Sequence, residues 1–237
     1  MASRKTTKRR RKAAQDAAKK RNMINAGIII AVILAVIWIA TSAQGKTTPP
    51  PSQPADVSPP VNNAPVAEGK EYDSAPPMSI DTSVIYLATV KMENGGEFVI
   101  QLHADKAPIT VNSFVFLARE GFFDSVTFHR VIDGFMAQGG DPTGTGTSGP
   151  GYKFVNEDSD LTFDKEGVVA MANAGRDTNG SQFFITFVPR PDLNGNYTIF
   201  GQVVEGMDVV HAITRRNPQR NPDFEGDMIE SITISEQ

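Results

Sequence analysis

Short segments in which apolar and polar residues alternate dominate the last two thirds of this 237-residue chain. The first two segments, 84–90 and 97–102, flank Asn94-Gly95-Gly96, a turn typical of β-hairpins. Further strands are predicted within 128–141, 167–172, 182–187, 198–204 and 229–234. Helical spacing is found in two places, between Pro108 and Gly121 and at 207–214. Many short strands with two helices predict a mainly β domain, a closed antiparallel barrel capped by two α-helices.

One of these segments carries polar side chains where a core strand is expected, and it reads FHRVIDGFMAQGGD (128–141). With a period of two, Arg130 shares a strand face with Phe128 and Ile132, and Met136 shares one with Gln138. A cation and an amide among large apolar side chains indicate a wall that binds something partly apolar and partly peptide-like. The alternative is that Arg130 extends to solvent at a sheet edge and that the two glycines only form a turn.

The N-terminal region differs from the rest of the chain in charge and hydropathy. Residues 1–22 hold 10 of the 23 Lys and Arg residues and one of the 27 acids, so 23–237 carry a balance of −13. Residues 23–43 are uncharged and small or apolar, with Trp38 near the distal end, and reach the roughly 20 residues that a membrane-spanning helix needs. The positive-inside rule then predicts a cytoplasmic basic tail at 1–22, an anchor at 23–43 and an extracytoplasmic remainder.

Two alternatives concern this region. Thr41-Ser42-Ala43 offers small residues for signal-peptide cleavage, but the long charged lead and long apolar run favour an uncleaved anchor. The basic tail could bind nucleic acid, yet a position directly before a membrane span favours a role in topology and contact with anionic lipid. We therefore predict a cell-membrane protein with no nucleic-acid partner.

Residues 44–82 are rich in Pro, Ser, Thr, Asn and Ala. Too few large apolar residues are present to offset the entropy of folding, so a disordered, semi-extended linker is predicted. A ligand for proline-binding modules is the alternative, but no basic anchor residue accompanies the prolines. The folded domain is predicted to span 83–237.

Several other kinds of site are excluded by residue type or context. The chain has no cysteine, which excludes disulfides, thiolate metal sites and a cysteine nucleophile. The segment 144–149 fits G-x-G-x-x-G, but Pro150-Gly151 follows where a dinucleotide-binding motif needs a helix. The three histidines are too scattered for a metal site, and the acids at 223–227 lack a full calcium-ligand pattern. Nothing like a nucleophile elbow surrounds Ser181, which argues against a hydrolase pair with His129.

A second segment, MANAGRDTNGSQFFIT (171–186), changes the interpretation of the first. Together with 128–141, with Leu193-Asn194-Gly195 and with Phe200-Gly201 in order and at fitting intervals, it resembles the cyclophilins. The resemblance covers about 83–237. It implies a closed eight-stranded antiparallel barrel with two capping helices and peptidyl-prolyl cis–trans isomerase activity.

The resemblance also implies roles for single residues. Arg130 matches the catalytic guanidinium. The proline pocket and the peptide-binding positions correspond to Phe135, Met136, Gln138, Ala172, Asn173, Gln182, Phe184, Leu193 and Tyr197. His129 precedes the arginine and is not expected to titrate in the reaction. No cofactor or metal is implied, because isomerisation makes and breaks no bond.

Three positions depart from the pattern of the family. Asp192 replaces the tryptophan of cyclosporin-sensitive members, which argues against tight cyclosporin binding. Tyr197 replaces a histidine but can still form that wall of the pocket. Arg176-Asp177 replaces the more usual Pro-Asn, so the sequence preference around the proline is open.

These observations predict a membrane-anchored, monomeric isomerase that acts on proline-containing peptides and on unfolded exported proteins. Two alternatives remain: a module that binds proline-containing peptides without significant turnover, and an inert spacer on a stalk.

Overall fold

The structure is a computed structural model that describes residues 70–237. Its strands are β1 (Tyr86–Met92), β2 (Glu97–Leu102), β3 (Arg130–Ile132), β4 (Met136–Gly139), β5 (Val168–Met171), β6 (Phe183–Thr186), β7 (Ile199–Glu205) and β8 (Ile229–Glu236). Its helices are α1 (Pro108–Arg119) and α2 (Met207–Ala212), with single 3-10 turns at Pro191–Leu193 and Pro218–Arg220. The mainly β class with two α-helices is confirmed for this part of the chain.

All eight strands belong to one sheet, in the order β3-β4-β6-β5-β7-β2-β1-β8, and every ladder is antiparallel. The predicted first hairpin is present: β1 pairs with β2 from Tyr86↔Leu102 to Lys91↔Glu97. Gly95 lies in its turn with φ +84°, a conformation that glycine adopts without a steric penalty. The hairpin therefore forms where the alternation and the turn residues predicted it.

Closure of the sheet into a barrel stays a prediction. The two edge strands, β3 and β8, share no ladder in the described part of the chain. Isolated antiparallel bridges lie in this region, Thr127↔Met228 and Val131↔Arg216. The sheet is thus a curled antiparallel sheet, in which the segment before β3 contacts the beginning of β8 through the Thr127↔Met228 bridge and neighbouring backbone hydrogen bonds.

Neighbouring residues of the curled sheet pack into two separate apolar clusters, because side chains alternate between its faces. Ala137, Phe183 and Ile185 belong to the main core, which also holds the buried face of α1. Met136 and Phe184, one residue away in each strand, belong to a smaller cluster on the other face. This smaller cluster supports the functional site.

The structure differs from the prediction in the residues that share a strand face with Arg130. Phe128 was expected beside Arg130 and Ile132, but it is fully buried in the main core, whereas Ile132 packs on the smaller cluster. The reason is that β3 begins only at Arg130, so the two-residue period does not extend back to Phe128. The expectation for Phe128 was wrong.

The helices begin and end close to their sequence signals. Pro108 occupies the first turn of α1, where its missing N–H costs nothing, and apolar residues at helical spacing, including Val111, Phe114 and Leu117, are buried. The amides of Ile109 and Thr110 donate to the Glu157 carboxylate at 2.9 and 2.8 Å, which satisfies part of the helix N-terminus.

Residues 72–80, which the composition assigned to the linker, contact the domain. The Tyr72 ring packs on Phe116 with centroids 5.0 Å apart, and Ile80 is buried in the main core. The Asn112 amide nitrogen donates to the Pro77 carbonyl at 3.1 Å. A proline-rich segment can pack on a domain without forming a hydrogen-bonded ladder. Its composition does not reveal that its contact partners lie far along the sequence. We call residues 71–80 the strap.

The predicted basic tail at 1–22, the anchor at 23–43 and the linker residues 44–69 lie outside the described residues. None of the helices within 70–237 has the length and apolar character needed to span a bilayer.

Candidate active site

Strand pairing brings three of the expected site residues into one row across the sheet. Arg130 on β3 lies opposite Gln138 on β4, and Gln138 lies opposite Phe184 on β6. Directly opposed residues of an antiparallel sheet project from the same face, about 5 Å apart. A guanidinium, an amide and a phenyl ring are therefore placed side by side, although 54 positions separate Arg130 from Phe184 in the sequence.

These side chains border a pocket of about 110 Å³. Its lining includes nine residues: Arg130, Phe135, Met136, Gln138, Ala172, Asn173, Phe184, Leu193 and Tyr197. All nine were named from the resemblance. Gln182, the remaining candidate, lines an adjoining groove instead.

Packing fixes the apolar floor of the pocket. The Phe184 ring stacks on buried Phe163, with centroids 5.9 Å apart and planes at 9°. Tyr197 meets the same ring edge-on at 5.3 Å. Leu193 enters from the 3-10 turn Pro191–Leu193. Aromatic contacts on two sides leave Phe184 little freedom, so the pocket is formed before any ligand binds.

Arg130 is held at the rim of the pocket by Met136 and Gln138 of β4 and by Phe135, which directly precedes that strand. Its Nη1 donates to Gln138 Oε1 at 3.3 Å and points toward Met136 Sδ at 3.6 Å, and its Cζ lies 5.5 Å from the Phe135 ring centroid. No carboxylate is among its hydrogen-bond or ion-pair partners in the described chain. Burial lowers the pKa of Arg130, but an arginine side chain stays protonated in proteins. The site thus holds one partly buried cation without a charged partner.

A chain of hydrogen bonds connects Arg130 to the loop at 141–151. Gln138 accepts from Arg130 and, through Nε2, donates to Gln182 Oε1 at 3.0 Å. Gln182 Nε2 in turn donates to the Ser148 carbonyl at 2.9 Å. Gln138 and Gln182 each accept a hydrogen bond through the side-chain oxygen and donate one through the side-chain nitrogen. The direction of donation therefore runs from Arg130 to Ser148.

That loop is organised by a buried carboxylate, Asp141. It accepts hydrogen bonds from the amides of Thr143 at 2.8 Å and Ser148 at 3.2 Å, and from Gly146. Burial acts to raise the pKa of Asp141, but these hydrogen bonds outweigh it and lower the pKa below its usual value. The sequence alone did not indicate a role for Asp141, although this residue ends the first motif.

The opposite rim is formed by the loop that follows β5. The amide nitrogen of Ala172 donates to the Gln182 carbonyl at 2.9 Å, which continues the pairing of β5 and β6. Asn173 Nδ2 donates to Asn179 Oδ1 at 3.3 Å, and Asn179 Nδ2 donates to the Val155 carbonyl at 3.0 Å. Asn173 is therefore oriented by a buried asparagine.

Of the three positions that depart from the family pattern, one lines the pocket and two carry exposed ion pairs. Asp192 is 59% exposed at its side chain and pairs with Arg190 at 2.7 Å. Arg176 pairs with exposed Asp158. Tyr197 lines the pocket.

Two residues near the pocket are not among those predicted from the sequence. The Arg190 Cζ lies 4.0 Å from the Phe135 ring centroid, closer than that of Arg130. Phe163 lies beneath Phe184. Neither belongs to a motif, and their only signal is residue type, so the contacts could not be found without the fold.

His129 has no place in the pocket. The residue is 2% exposed, and neither ring nitrogen has a hydrogen-bond partner within the described residues. Burial, with a smaller contribution from Arg216 and Arg130, lowers the pKa of His129. Residues 70–237 also contain no cluster of three or more His, Cys, Asp or Glu side chains that could hold a metal ion.

The comparisons with known proteins agree with this geometry. The family model "Cyclophilin type peptidyl-prolyl cis-trans isomerase/CLD" matches residues 87–234. Peptidyl-prolyl cis-trans isomerase A of Mycobacterium tuberculosis is 47% identical over 178 residues, covering 66% of this chain and 97% of the relative. Peptidyl-prolyl cis-trans isomerase B of Bacillus subtilis is 45% identical over 136 residues, covering 57% and 95%.

Solved structures resemble the fold as well. A Cryptosporidium parvum cyclophilin-type isomerase, crystallised in the presence of the dipeptide Ala-Pro, matches with a TM-score of 0.57 and 32% identity, over 63% of this chain and 98% of that one. The match to a family model over more than half of the sequence, and to relatives over nearly their whole length, identifies the domain. The chain belongs to the cyclophilin family of peptidyl-prolyl cis–trans isomerases.

Proposed function

We propose that Arg130 is the catalytic group of this isomerase and acts on the nitrogen of the prolyl amide. Rotation about that bond is opposed by roughly 18–20 kcal/mol, because the nitrogen lone pair is delocalised into the carbonyl. In the twisted state the nitrogen becomes pyramidal and recovers its lone pair. A guanidinium N–H that donates to this lone pair stabilises the twisted amide more than either planar form, which is what lowers the barrier.

The observation that carries the proposal is the partly buried cation beside a preformed apolar pocket. A placed donor in a site that excludes water is worth about 3–4 kcal/mol, or two to three powers of ten in rate. Gln138 keeps the guanidinium at the rim, and no carboxylate within residues 70–237 pairs with it. The rest of the acceleration is assigned to the pocket, whose size suits a single proline ring and whose apolar walls exclude water.

The surroundings of the pocket support a polypeptide as substrate. A groove of about 600 Å³ adjoins it at Gln138, Ala172 and Asn173, and a hollow of about 360 Å³ adjoins it at Asn173, Leu193 and Tyr197. A peptide bound through its proline can therefore continue in both directions. The Ala-Pro dipeptide used with the Cryptosporidium relative supports a proline-containing peptide as ligand.

A protease-coupled assay with an Ala-Pro tetrapeptide tests the activity. The isomerase is expected to abolish the slow phase of cleavage, which otherwise takes tens to hundreds of seconds. A module that only binds would shift the nuclear magnetic resonance signals of the pocket residues but leave the slow phase unchanged. An inert spacer would do neither.

We also propose that the enzyme is anchored in the cell membrane by residues 23–43 and assists the folding of exported proteins. The support is the uncharged apolar run and the ten cations that precede it. The proline-rich residues that follow would keep the domain away from the bilayer. Tight cyclosporin binding is not expected, because the exposed Asp192 carboxylate is charged and paired with Arg190.

A further inference from the structure

The groove beside the proline pocket has one wall that the family match does not cover. The matched residues begin at position 87, whereas the strap comprises 71–80. Glu71 lines the groove together with Gly146–Lys153 and part of the loop after β5. At its inner end the groove shares Gln138, Ala172 and Asn173 with the proline pocket. One continuous surface thus runs from Arg130 to the strap.

The strap holds the loop that forms the outer part of this groove. The Tyr72 amide donates to the Pro150 carbonyl at 2.9 Å. Gly151 has φ +90°, and a Cβ at this position would lie 2.7 Å from the Tyr72 carbonyl oxygen, so the two backbones touch. The Tyr72 ring packs 5.0 Å from Phe116 and 6.5 Å from Tyr152, centroid to centroid. The position of Pro150 and Gly151 therefore depends on Tyr72.

The lining of the groove suits an extended peptide rather than a compact apolar ligand. Apart from Glu71 and Lys153 it is uncharged, with hydroxyls, amides and backbone groups of Thr147, Ser148 and Thr178 among its lining residues. Such groups hydrogen-bond a peptide backbone with little regard to side chains. Its length beyond the proline pocket leaves room for more residues than those directly beside the proline.

We propose that the strap is part of the substrate site and extends it, so that substrate residues three or more positions from the proline bind against the 146–151 loop and Glu71. This inference rests on the proposed isomerase function. The strap acts as a positioning element: Tyr72 fixes the loop, and the loop contacts the peptide. Short proline peptides do not reach it, whereas unfolded polypeptides do.

The test compares an Ala-Pro tetrapeptide with two octapeptides, extended by four residues either before or after that core. The full chain is assayed with Tyr72→Ala, which removes the ring, and with Gly151→Ala, which pushes the strap and loop apart. We expect kcat/KM for one of the two octapeptides to fall about five- to tenfold, mainly through KM, the size of one or two lost hydrogen bonds. Values for the tetrapeptide stay within twofold.

The matched control is Tyr72→Phe, which keeps the ring and removes a hydroxyl that has no partner in the described structure. It is expected to behave like the unaltered chain with all three peptides. Thermal unfolding of each variant identifies any general loss of folding, which would lower tetrapeptide turnover as well.

Three results would overturn the proposal. The first is equal loss with the tetrapeptide and the octapeptides, which indicates a purely structural role. The second is no loss with either octapeptide. The third is a gain with an octapeptide, which indicates that residues of this chain before position 70 occupy the groove. Failure of the unaltered chain to isomerise any of the three peptides would instead contradict the proposed function.

Discussion

Gln138 decides where the Arg130 guanidinium points, since its Oε1 is the side-chain oxygen that accepts a hydrogen bond from it. The pair lie directly opposite each other on β3 and β4. Gln138 is itself fixed through Gln182 and the Ser148 carbonyl. The guanidinium is thus placed by an uncharged network that does not neutralise it.

Replacing this amide should impair turnover without removing the cation. For Gln138→Ala we expect kcat to fall about tenfold, because a lost hydrogen bond to a charged group is worth about 1.5–3 kcal/mol and only part of it is felt in the transition state. The protease-coupled assay measures this. Gln138→Glu is the matched control: it keeps an acceptor but pairs Arg130 with a carboxylate, and we expect it to be impaired as well. Full activity in Gln138→Glu would show that charge neutralisation does not matter.

His129 gives the domain a pH dependence of stability rather than of catalysis. Its pKa is lowered in the folded state by burial, so the unfolded chain binds a proton more readily. The free energy of unfolding should therefore fall as the pH drops through the unfolded value of about 6.5. His129→Leu should reduce this fall between about pH 7 and 5, as measured by urea unfolding. His103, whose pKa is also lowered by burial, leaves part of it in place.

A sequence motif identifies some of the residues around the pocket but not all of them. The two motifs contain seven of the nine residues that line the pocket, because each motif covers parts of two paired strands, whereas Leu193 and Tyr197 lie after the second motif. The motifs do not reveal that Arg190 lies over Phe135 or that Phe163 supports Phe184, since these contacts join residues with no regular spacing.

At the scale of elements, the loop at 141–151 depends on one carboxylate. Asp141→Ala removes the acceptor for the amides of Thr143, Gly146 and Ser148. We expect a loss of about 2–4 kcal/mol in the free energy of unfolding, measured with urea, since several partly buried hydrogen bonds to one carboxylate are lost together. A loss below about 0.5 kcal/mol would mean that the loop is held by other contacts.

Acid should weaken the same loop. The pKa of Asp141 is lowered in the folded state, so its contribution is complete above the unfolded value of about 3.9 and is lost as the pH falls below it. Asp141→Asn retains one acceptor oxygen and serves as the control, with a smaller loss that does not depend on pH in this range.

Strands and helices could be predicted from the sequence where a regular period of apolar residues extends over six or more residues. The hairpin of β1 and β2, helix α1 and the closing strand β8 are examples. The period fails at Phe128, because β3 has only three residues and the chain before it turns into the core. Composition likewise missed the strap, whose partners Phe116 and Tyr152 are far along the chain.

At the scale of the whole molecule, the proposed location has a direct test. Cell fractionation should place the full chain in the membrane fraction and a chain that lacks residues 1–43 in the soluble fraction, because the uncharged apolar run is the proposed anchor. Carbonate washing distinguishes an anchor from a peripheral contact. If cells that express the full chain instead yield a soluble fragment that begins near residue 44, the N-terminal segment is cleaved and does not act as an anchor.

The central claim is that the partly buried Arg130 guanidinium, held by Gln138 beside a preformed pocket, stabilises the twisted prolyl amide. It is tested most directly by Arg130→Ala, with kcat/KM from the protease-coupled assay and the peptide Kd from nuclear magnetic resonance titration. The account predicts that kcat/KM falls about 100- to 1000-fold while Kd changes by less than about fivefold. Arg130→Lys, which keeps the charge without the planar fork, should lie between. Isomerisation that persists within a few-fold in Arg130→Ala would contradict the account.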